Sequence, residues 1–257
     1  VTVLAPAKLT VSLRVTGVRL DGYHELDAEM VSLSLADELV LTEGGSGLTV
    51  VAEPGTRARA LGGTEDDLIS RALAACGRVA SVRLTKRIPV GGGLGGGSAD
   101  AAAVLRWAGG AGPEVAARLG SDVPFCVVGG RARVEGVGER VTPLPFVPRD
   151  YLLVLPPFGV DTARVYRAWD EGHRERDEAA NALTAAALAV EPRLATWRDA
   201  LGDLAGREPT LAGSGSTWFV EGGPDAAGAA ADRELRVGSE RARLVRARTV
   251  PAGWEGD

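Results

Sequence analysis

The sequence predicts an α+β fold, and three observations carry that reading. Segments with strand-like alternation and segments with helical periodicity both occur, without the strict alternation of βαβ units. The 257 residues are 45% hydrophobic and 25% charged, which excludes a disordered chain and leaves length for a sizeable core. A proline-rich stretch from Pro143 to Pro148 divides the pattern, predicting two units at 1–147 and 148–257.

Residues 1–15 read as a strand pair broken near Pro6. In its second member Leu9, Val11, Leu13 and Val15 alternate with Thr10, Ser12 and Arg14. A turn follows at Leu20-Asp21-Gly22, then strands at Met30–Leu35, Glu38–Thr42 and Leu48–Ala52. Asp66–Cys76 reads as a helix with Leu68, Ile69, Ala72, Leu73 and Cys76 on one face. Ser81–Ile88 reads as a strand. An alanine-rich helix is predicted over Ala99–Ala108, stopped by Gly109-Gly110, and a short one from Pro113 to Gly120. Val123–Gly129 and Arg131–Glu135 read as strands. In the second half the pattern gives a strand at Tyr151–Leu155 and helices over 162–170, 177–189 and 192–205. It then gives a strand at Thr217–Val220, a helix at Ala226–Leu235 and a last strand at Arg243–Thr249.

The formal charge of −5 argues against a general nucleic-acid binder. Cys76 and Cys126 lie far apart with no C-x-x-C, so neither a disulfide framework nor a zinc module is indicated, and both read as buried thiols of a reducing, cytoplasmic compartment. No apolar run approaches the ~18 residues of a membrane span, and no signal-peptide pattern opens the chain. The first residue is Val1, which predicts a trimmed start or an unusual initiation codon. Of 29 basic residues only Lys8 and Lys86 are lysines, Asn181 is the single asparagine, and glutamine is absent. In so skewed a composition, a surviving lysine is a candidate for work that needs a compact ammonium, against the alternative of chance survival on the surface.

Six glycines in seven positions, Gly91, Gly92, Gly93, Leu94, Gly95, Gly96 and Gly97, precede Ser98 and a helix. Glycine admits positive φ and close backbone approach, successive N–H groups form an anion cradle, and the helix adds its positive end. We read the loop as a triphosphate cradle rather than a tight structural turn, with Ser98 as N-cap or as a ligand to phosphate or Mg²⁺. The P-loop pattern fails because no lysine follows. G-x-G-x-x-G matches, but the preceding strand carries Arg83, Lys86 and Arg87, unlike a doubly buried Rossmann strand. Asp122, between Gly120 and the apolar Val123-Pro124-Phe125, is either a turn former or a desolvated acid in need of a partner. Composition and spacing do not pair it with Lys8.

Taken in order, Pro6-Ala7-Lys8, Asp21-Gly22-Tyr23-His24-Glu25-Leu26, Ile88-Pro89 with the loop Gly91–Asp100, Leu119–Phe125 and Gly213-Ser214-Gly215-Ser216 resemble the GHMP kinase superfamily. The Asp21–Leu26 segment and the glycine loop resemble its 4-diphosphocytidyl-2-C-methyl-D-erythritol kinase family, over about residues 4–220. The resemblance implies a ribosomal S5 domain 2-like N-terminal domain and a ferredoxin-like C-terminal domain. It implies ATP over Pro89 and the 91–98 loop with Lys86 near the nucleotide, and Mg²⁺ on the phosphates with Ser98 as its protein ligand. The acceptor would be the 2-hydroxyl of a cytidine-diphosphate-linked methylerythritol, in the non-mevalonate isoprenoid pathway. Asp122 and Lys8 would be catalytic, Tyr23 and Tyr166 would sandwich the cytosine, and His24 would read its edge. Thr10, Thr162, Asn181, Gly213 and Ser214 would contact substrate. The protein would act as a monomer or weak homodimer, without membrane or nucleic acid. From pattern alone Tyr23-His24 is also compatible with a turn, and Tyr166 with a core position.

Departures from the family pattern are Thr10 where asparagine is usual, Asn181-Ala182 for an Asn-Asp pair, and Ser98-Ala99 for Ser-Ser. Regions 53–66 and 221–241 look shortened or degenerate. The alternatives are another superfamily kinase with a mevalonate- or homoserine-type acceptor, and a nucleotide-binding homologue without turnover.

Overall fold

The computed structural model describes residues 1–53, 56, 67–110, 112–172, 179–222 and 233–256. The first sheet contains β1 (Thr2–Val18), β2 (His24–Glu43), β3 (Leu48–Ala52), β4 (Ala80–Lys86), β5 (Arg131–Gly136) and β6 (Arg140–Pro143). The long β2 is its hub. It pairs antiparallel with β1 along its length, with β4 over Glu38–Glu43 and with β5 over Leu26–Val31. The helices α1 (Leu68–Ala75), α2 (Gly96–Trp107), α3 (Pro113–Leu119) and α4 (Val123–Val128) share one core with this sheet, built on Leu39, Leu84, Val104 and Phe125.

The chain passes to a second sheet between Pro143 and Asp150. Its strands β7 (Asp150–Leu155), β8 (Thr210–Leu211), β9 (Trp218–Glu221), β10 (Arg233–Val237) and β11 (Glu240–Arg248) run in the order β10-β11-β7-β9-β8. Helices α5 (Thr162–Asp170), α6 (Thr184–Val190) and α7 (Leu194–Ala205) cover one face. The strand β7 is buried on both sides: Leu152 and Val154 face those helices, whereas Tyr151, Leu153 and Leu155 pack on Leu9, Val31 and Leu33 of the first sheet. The two sheets therefore share a third, central core.

Several expectations are corrected. The strand breaks expected near Pro6 and after Leu35 are register shifts within continuous β1 and β2, because a bulge lets the chain bend without leaving the ladder. Val123–Gly129 is not a strand but the helix α4. A short apolar run carries no period that separates the two, and Pro124 in its first turn suits a helix start. The helix after the glycines begins at Gly96, three residues earlier than the alanines suggest. The sequence reading omits β6 and the two-residue β8. Of the helix expected at Ala226–Leu235, residues 233–235 lie in β10 and the rest fall outside the described residues, as does His173. By contrast, α5 spans the expected residues, with Asp161 capping it through a 2.9 Å bond from the Arg164 amide.

Candidate active site

The strand β1 delivers Lys8 and Thr10 to the seam between the sheets, and the Pro6/Lys8 register shift sits just before them. Both side chains are buried. The Lys8 ammonium donates to Thr10 Oγ1 at 3.2 Å and lies 3.3 Å from Asp122 Oδ2. Asp122 occupies the N-cap position of α4, yet its carboxylate makes no capping bond and is directed to Lys8. Its side chain remains 28% exposed, enough to meet a ligand. The shorter Thr10 thus still contacts the ammonium through its hydroxyl.

The glycine loop closes over this pair. The Lys8 amide donates to Leu94 O at 3.0 Å, which threads the loop onto β1. Gly95 is the N-cap of α2 at φ +65°, and a Cβ there would stand 2.7 Å from Lys8 Cγ. Gly93, at φ +76°, has even less room, because a Cβ would fall 2.2 Å from Ala212 O. These two positions require glycine on steric grounds alone. Ser98 is consequently not the N-cap but the third residue of α2, its hydroxyl near Gly120.

A cleft of about 260 Å³ is lined by Lys8, Thr10, Gly91, Gly92, Gly93, Gly95, Gly96, Asp122, Thr162, Tyr166, Gly213 and Ser214. The structure therefore brings together both expected catalytic residues, most of the loop and four of the expected substrate contacts beyond Thr10. Thr162 Oγ1 and Ser214 Oγ are 2.8 Å apart. A larger groove, about 450 Å³ beside Ser34, Arg246 and Arg248, contains none of these residues.

Other expected residues lie off the cleft wall. Pro89 and Leu94 are buried behind the loop, whereas Gly97 is exposed on the first turn of α2. Lys86, expected beside the nucleotide, is only 2% exposed and lies beneath the loop, bonded to Asp37 and, at 2.8 Å, to Asp100. Burial alone would lower the Lys86 ammonium, but the two carboxylates outweigh it and raise it. Burial pushes the Asp100 carboxyl up, to about 7, against the pull of Lys86. Asn181 is buried with its amide turned to backbone groups.

Tyr23 and His24 sit where the β1–β2 hairpin turns. Gly22 takes φ +84° there, and the Tyr23 amide donates to Asp21 Oδ1 at 3.3 Å. Tyr23 is 64% exposed, beside a pocket that also touches Ser121. The His24 ring lies on Tyr166, with centroids 4.6 Å apart and planes tilted by 33°, and its Nε2 is 2.8 Å from Asp170 Oδ1. A carboxylate only accepts, so Nε2 carries a hydrogen, and in the neutral ring Nδ1 is then the acceptor. Burial, then the Asp122 charge, raise the Tyr166 phenol, which stays neutral. Sequence reasoning missed Asp37, Asp100 and Asp170. For the first two a signal existed, since Lys86 falls on the inward face of β4 and Asp100 interrupts the apolar run Ala99–Leu105 of α2.

Among the described residues no helix is long and apolar enough to cross a membrane. The family model for the GHMP kinases N terminal domain matches residues 67–130. A 4-diphosphocytidyl-2-C-methyl-D-erythritol kinase of Paracoccus denitrificans is 38% identical, over 84% of this chain and 84% of its own length. The Granulibacter bethesdensis protein of that name is 34% identical over 97% of this chain and 91% of its own. A crystal structure of a 4-(cytidine 5'-diphospho)-2C-methyl-D-erythritol kinase superposes with a TM-score of 0.72 at 36% identity, covering 88% of this chain and 92% of that one. A mevalonate kinase structure, at TM-score 0.57 and 12% identity over 98% and 99% of the two chains, shares the fold alone. The loop, the hairpin tip and these likenesses converge: the chain belongs to the 4-diphosphocytidyl-2-C-methyl-D-erythritol kinase family of the GHMP kinases.

Proposed function

We propose that this chain transfers the γ-phosphoryl group of ATP to the 2-hydroxyl of 4-diphosphocytidyl-2-C-methyl-D-erythritol. The observation that carries the reading is the Lys8–Asp122 pair, 3.3 Å apart, at the wall of a cleft floored by glycine backbone. Phosphoryl transfer asks the protein for alignment and charge stabilisation more than for covalent chemistry. Asp122 orients the acceptor hydroxyl and takes its proton as the new O–P bond forms and the bond to the β-phosphate oxygen breaks. Lys8 stabilises the charge that develops between alkoxide and γ-phosphate.

The backbone amides of residues 91–98, with Pro89 packed behind them, and the positive end of α2 hold the phosphates. The Ser98 hydroxyl, in the first turn of α2, is an oxygen donor of the kind a hard cation takes. Mg²⁺ carried on the phosphates would take Ser98 as protein ligand and neutralise phosphate charge. Lys86 supports the loop from below. At the other end Tyr23 and Tyr166 bracket the cytosine, and His24 Nδ1 is free to accept from its exocyclic amine. Thr10, Thr162, Gly213 and Ser214 line the space between. Two free cysteines, one half-buried and one buried, agree with a reducing cytoplasm.

A coupled assay of ADP release tests the reading, with the cytidyl substrate, mevalonate and homoserine offered separately. Release with the cytidyl substrate alone is expected. Release with another acceptor would favour a different superfamily kinase, and ATP binding without release would favour a homologue lacking turnover.

A further inference from the structure

Asn181 was expected to touch substrate, but its surroundings assign it other work. The side chain is 2% exposed. Its Nδ2 donates to Leu211 O at 2.8 Å and to Gly213 O at 2.7 Å, and its Oδ1 accepts from the Leu183 amide at 2.9 Å. Both amide hydrogens and the oxygen are thus engaged by backbone. The chain on either side is fixed to β1, since Leu13 N donates to Ala180 O at 2.8 Å and Ala182 N donates to Leu13 O at 2.9 Å. Asn181 therefore stands where β1, which carries Lys8 and Thr10, meets the segment 211–217.

That segment is in turn locked to the glycine loop. Thr217 N donates to Gly92 O at 3.1 Å, and Ala212 O and Gly215 O crowd the face of Gly93 so closely that a Cβ could not fit. A Cβ on Gly213 would lie 3.5 Å from the Lys8 ammonium and 3.7 Å from Gly93 O. The two glycine-rich segments, one from each sheet, form a single interlocked unit, and Asn181 holds one half of it from the β1 side, beside the Ser216 bond to Phe158 O at 2.6 Å.

Resting on the kinase reading above, we propose that Asn181 is a positioning residue: by clamping Leu211 and Gly213 it sets the 211–217 segment, and through it the phosphate loop, without contacting the substrate. The test is Asn181→Asp, which keeps the acceptor for Leu183 but turns an oxygen toward two carbonyl oxygens. Asn181→Ser, a milder loss of the same bonds, accompanies it. Binding of Mg²⁺·ATP is measured by calorimetry without acceptor, and kcat and both KM values by ADP release. Because a misplacement of about 1 Å can cost about a hundredfold, kcat is expected to fall by about that factor. The ATP dissociation constant is expected to rise about tenfold, more than unfolding can produce in a variant that a thermal melt shows to be mostly folded, because unfolding weakens apparent affinity only by the reciprocal of the folded fraction. The serine variant should show the same pattern more weakly. Unchanged ATP affinity with a raised acceptor KM would make Asn181 a substrate ligand and overturn the proposal. Unchanged constants in the folded fraction, or failure of both variants to fold, would leave it a purely structural residue and overturn it equally. If wild type binds ATP but releases no ADP, the kinase reading fails, while the ATP affinities still decide the role of Asn181.

Discussion

Replacing Asp122 with asparagine isolates the charge of the proposed base from its shape. In the structure the carboxylate lies 3.3 Å from the Lys8 ammonium, whose other side-chain partner is Thr10 at 3.2 Å. The Coulomb attraction of such a pair is about 5 kcal/mol at an effective dielectric near 20, before desolvation is subtracted. Asparagine keeps an oxygen that accepts from the ammonium, so the net loss is that of a charge-assisted hydrogen bond, about 1–3 kcal/mol. For a chain of this length, at about 2–4 °C per kcal/mol, that corresponds to a fall in Tm of about 2–12 °C. Catalysis should suffer far more, because a positioned general base contributes about 10²–10⁴ in rate. ATP affinity should change little, since the phosphate loop is held by Leu94 O, Gly92 O and the crowding at Gly93 rather than by Asp122. ADP release at saturating substrates, calorimetry with Mg²⁺·ATP and a thermal melt measure the three quantities. A variant that turns over within tenfold of wild type would refute the role given to Asp122.

Lys86→Met should leave the buried Asp37 and Asp100 carboxylates without their shared cation, at a cost of about 3–5 kcal/mol. A fall in Tm of about 10 °C or more is expected, and an unchanged melt would show that the cluster supports nothing. Asp170→Ala should free the His24 ring from the partner that fixes its tautomer. Inhibition by CDP and UDP should then differ less than in wild type, by about tenfold, and an undiminished preference for the cytidine nucleotide would contradict the assignment. Burial, with the Asp122 charge adding to it, pushes the Cys126 thiol up to about 12 from an ordinary 9.0. The folded state holds this proton more tightly than the unfolded one. The stability it contributes is therefore complete below pH 9 and is lost as the pH rises toward 12. At pH 8 a thiol reagent should reach Cys126 only after denaturant is added, and rapid labelling of native protein would show the site to be open.

The elements legible in the sequence are those whose signal is local. Asp161 at the start of α5 is a cap whose bond can be expected from residue type alone, and the helix spans the expected residues. The glycine loop is legible because six glycines ahead of a helix are hard to explain otherwise. What escaped depends on partners distant in the chain. The apolar run of α4 has no period of its own and becomes a helix against α2, and nothing in the spacing of Lys8 and Asp122 announces their contact. The two lysines are instructive together, because rarity marked both and only one faces the cleft. Strand alternation would have separated them: Ala80, Val82, Leu84 and Lys86 form the buried side of β4, so Lys86 had to be a paired, inward cation. Thr10, a departure from the family pattern, retains its contact through a hydroxyl, which no alignment of residue types would reveal.

The position of the site follows from the central core. A transfer that depends on alignment needs its donors and acceptors on elements that do not shift relative to one another. Lys8 and the phosphate loop belong to the first sheet, whereas Gly213, Ser214, Thr162 and Tyr166 belong to the second. Two sheets joined only by a linker would leave that geometry free to open. Here β7 is buried on both faces, so Leu153 and Leu155 bind the second sheet to Leu9 and Leu33 of the very strands that carry Lys8 and its ladder partner Ser32. Leu9 is the residue after Lys8, and alternation along β1 sends its side chain into that core while Lys8 turns to the cleft. The apolar seam and the Lys8 ammonium at the cleft are thus set by neighbouring residues of one strand. Loosening the seam should therefore impair chemistry before it impairs the fold of either sheet.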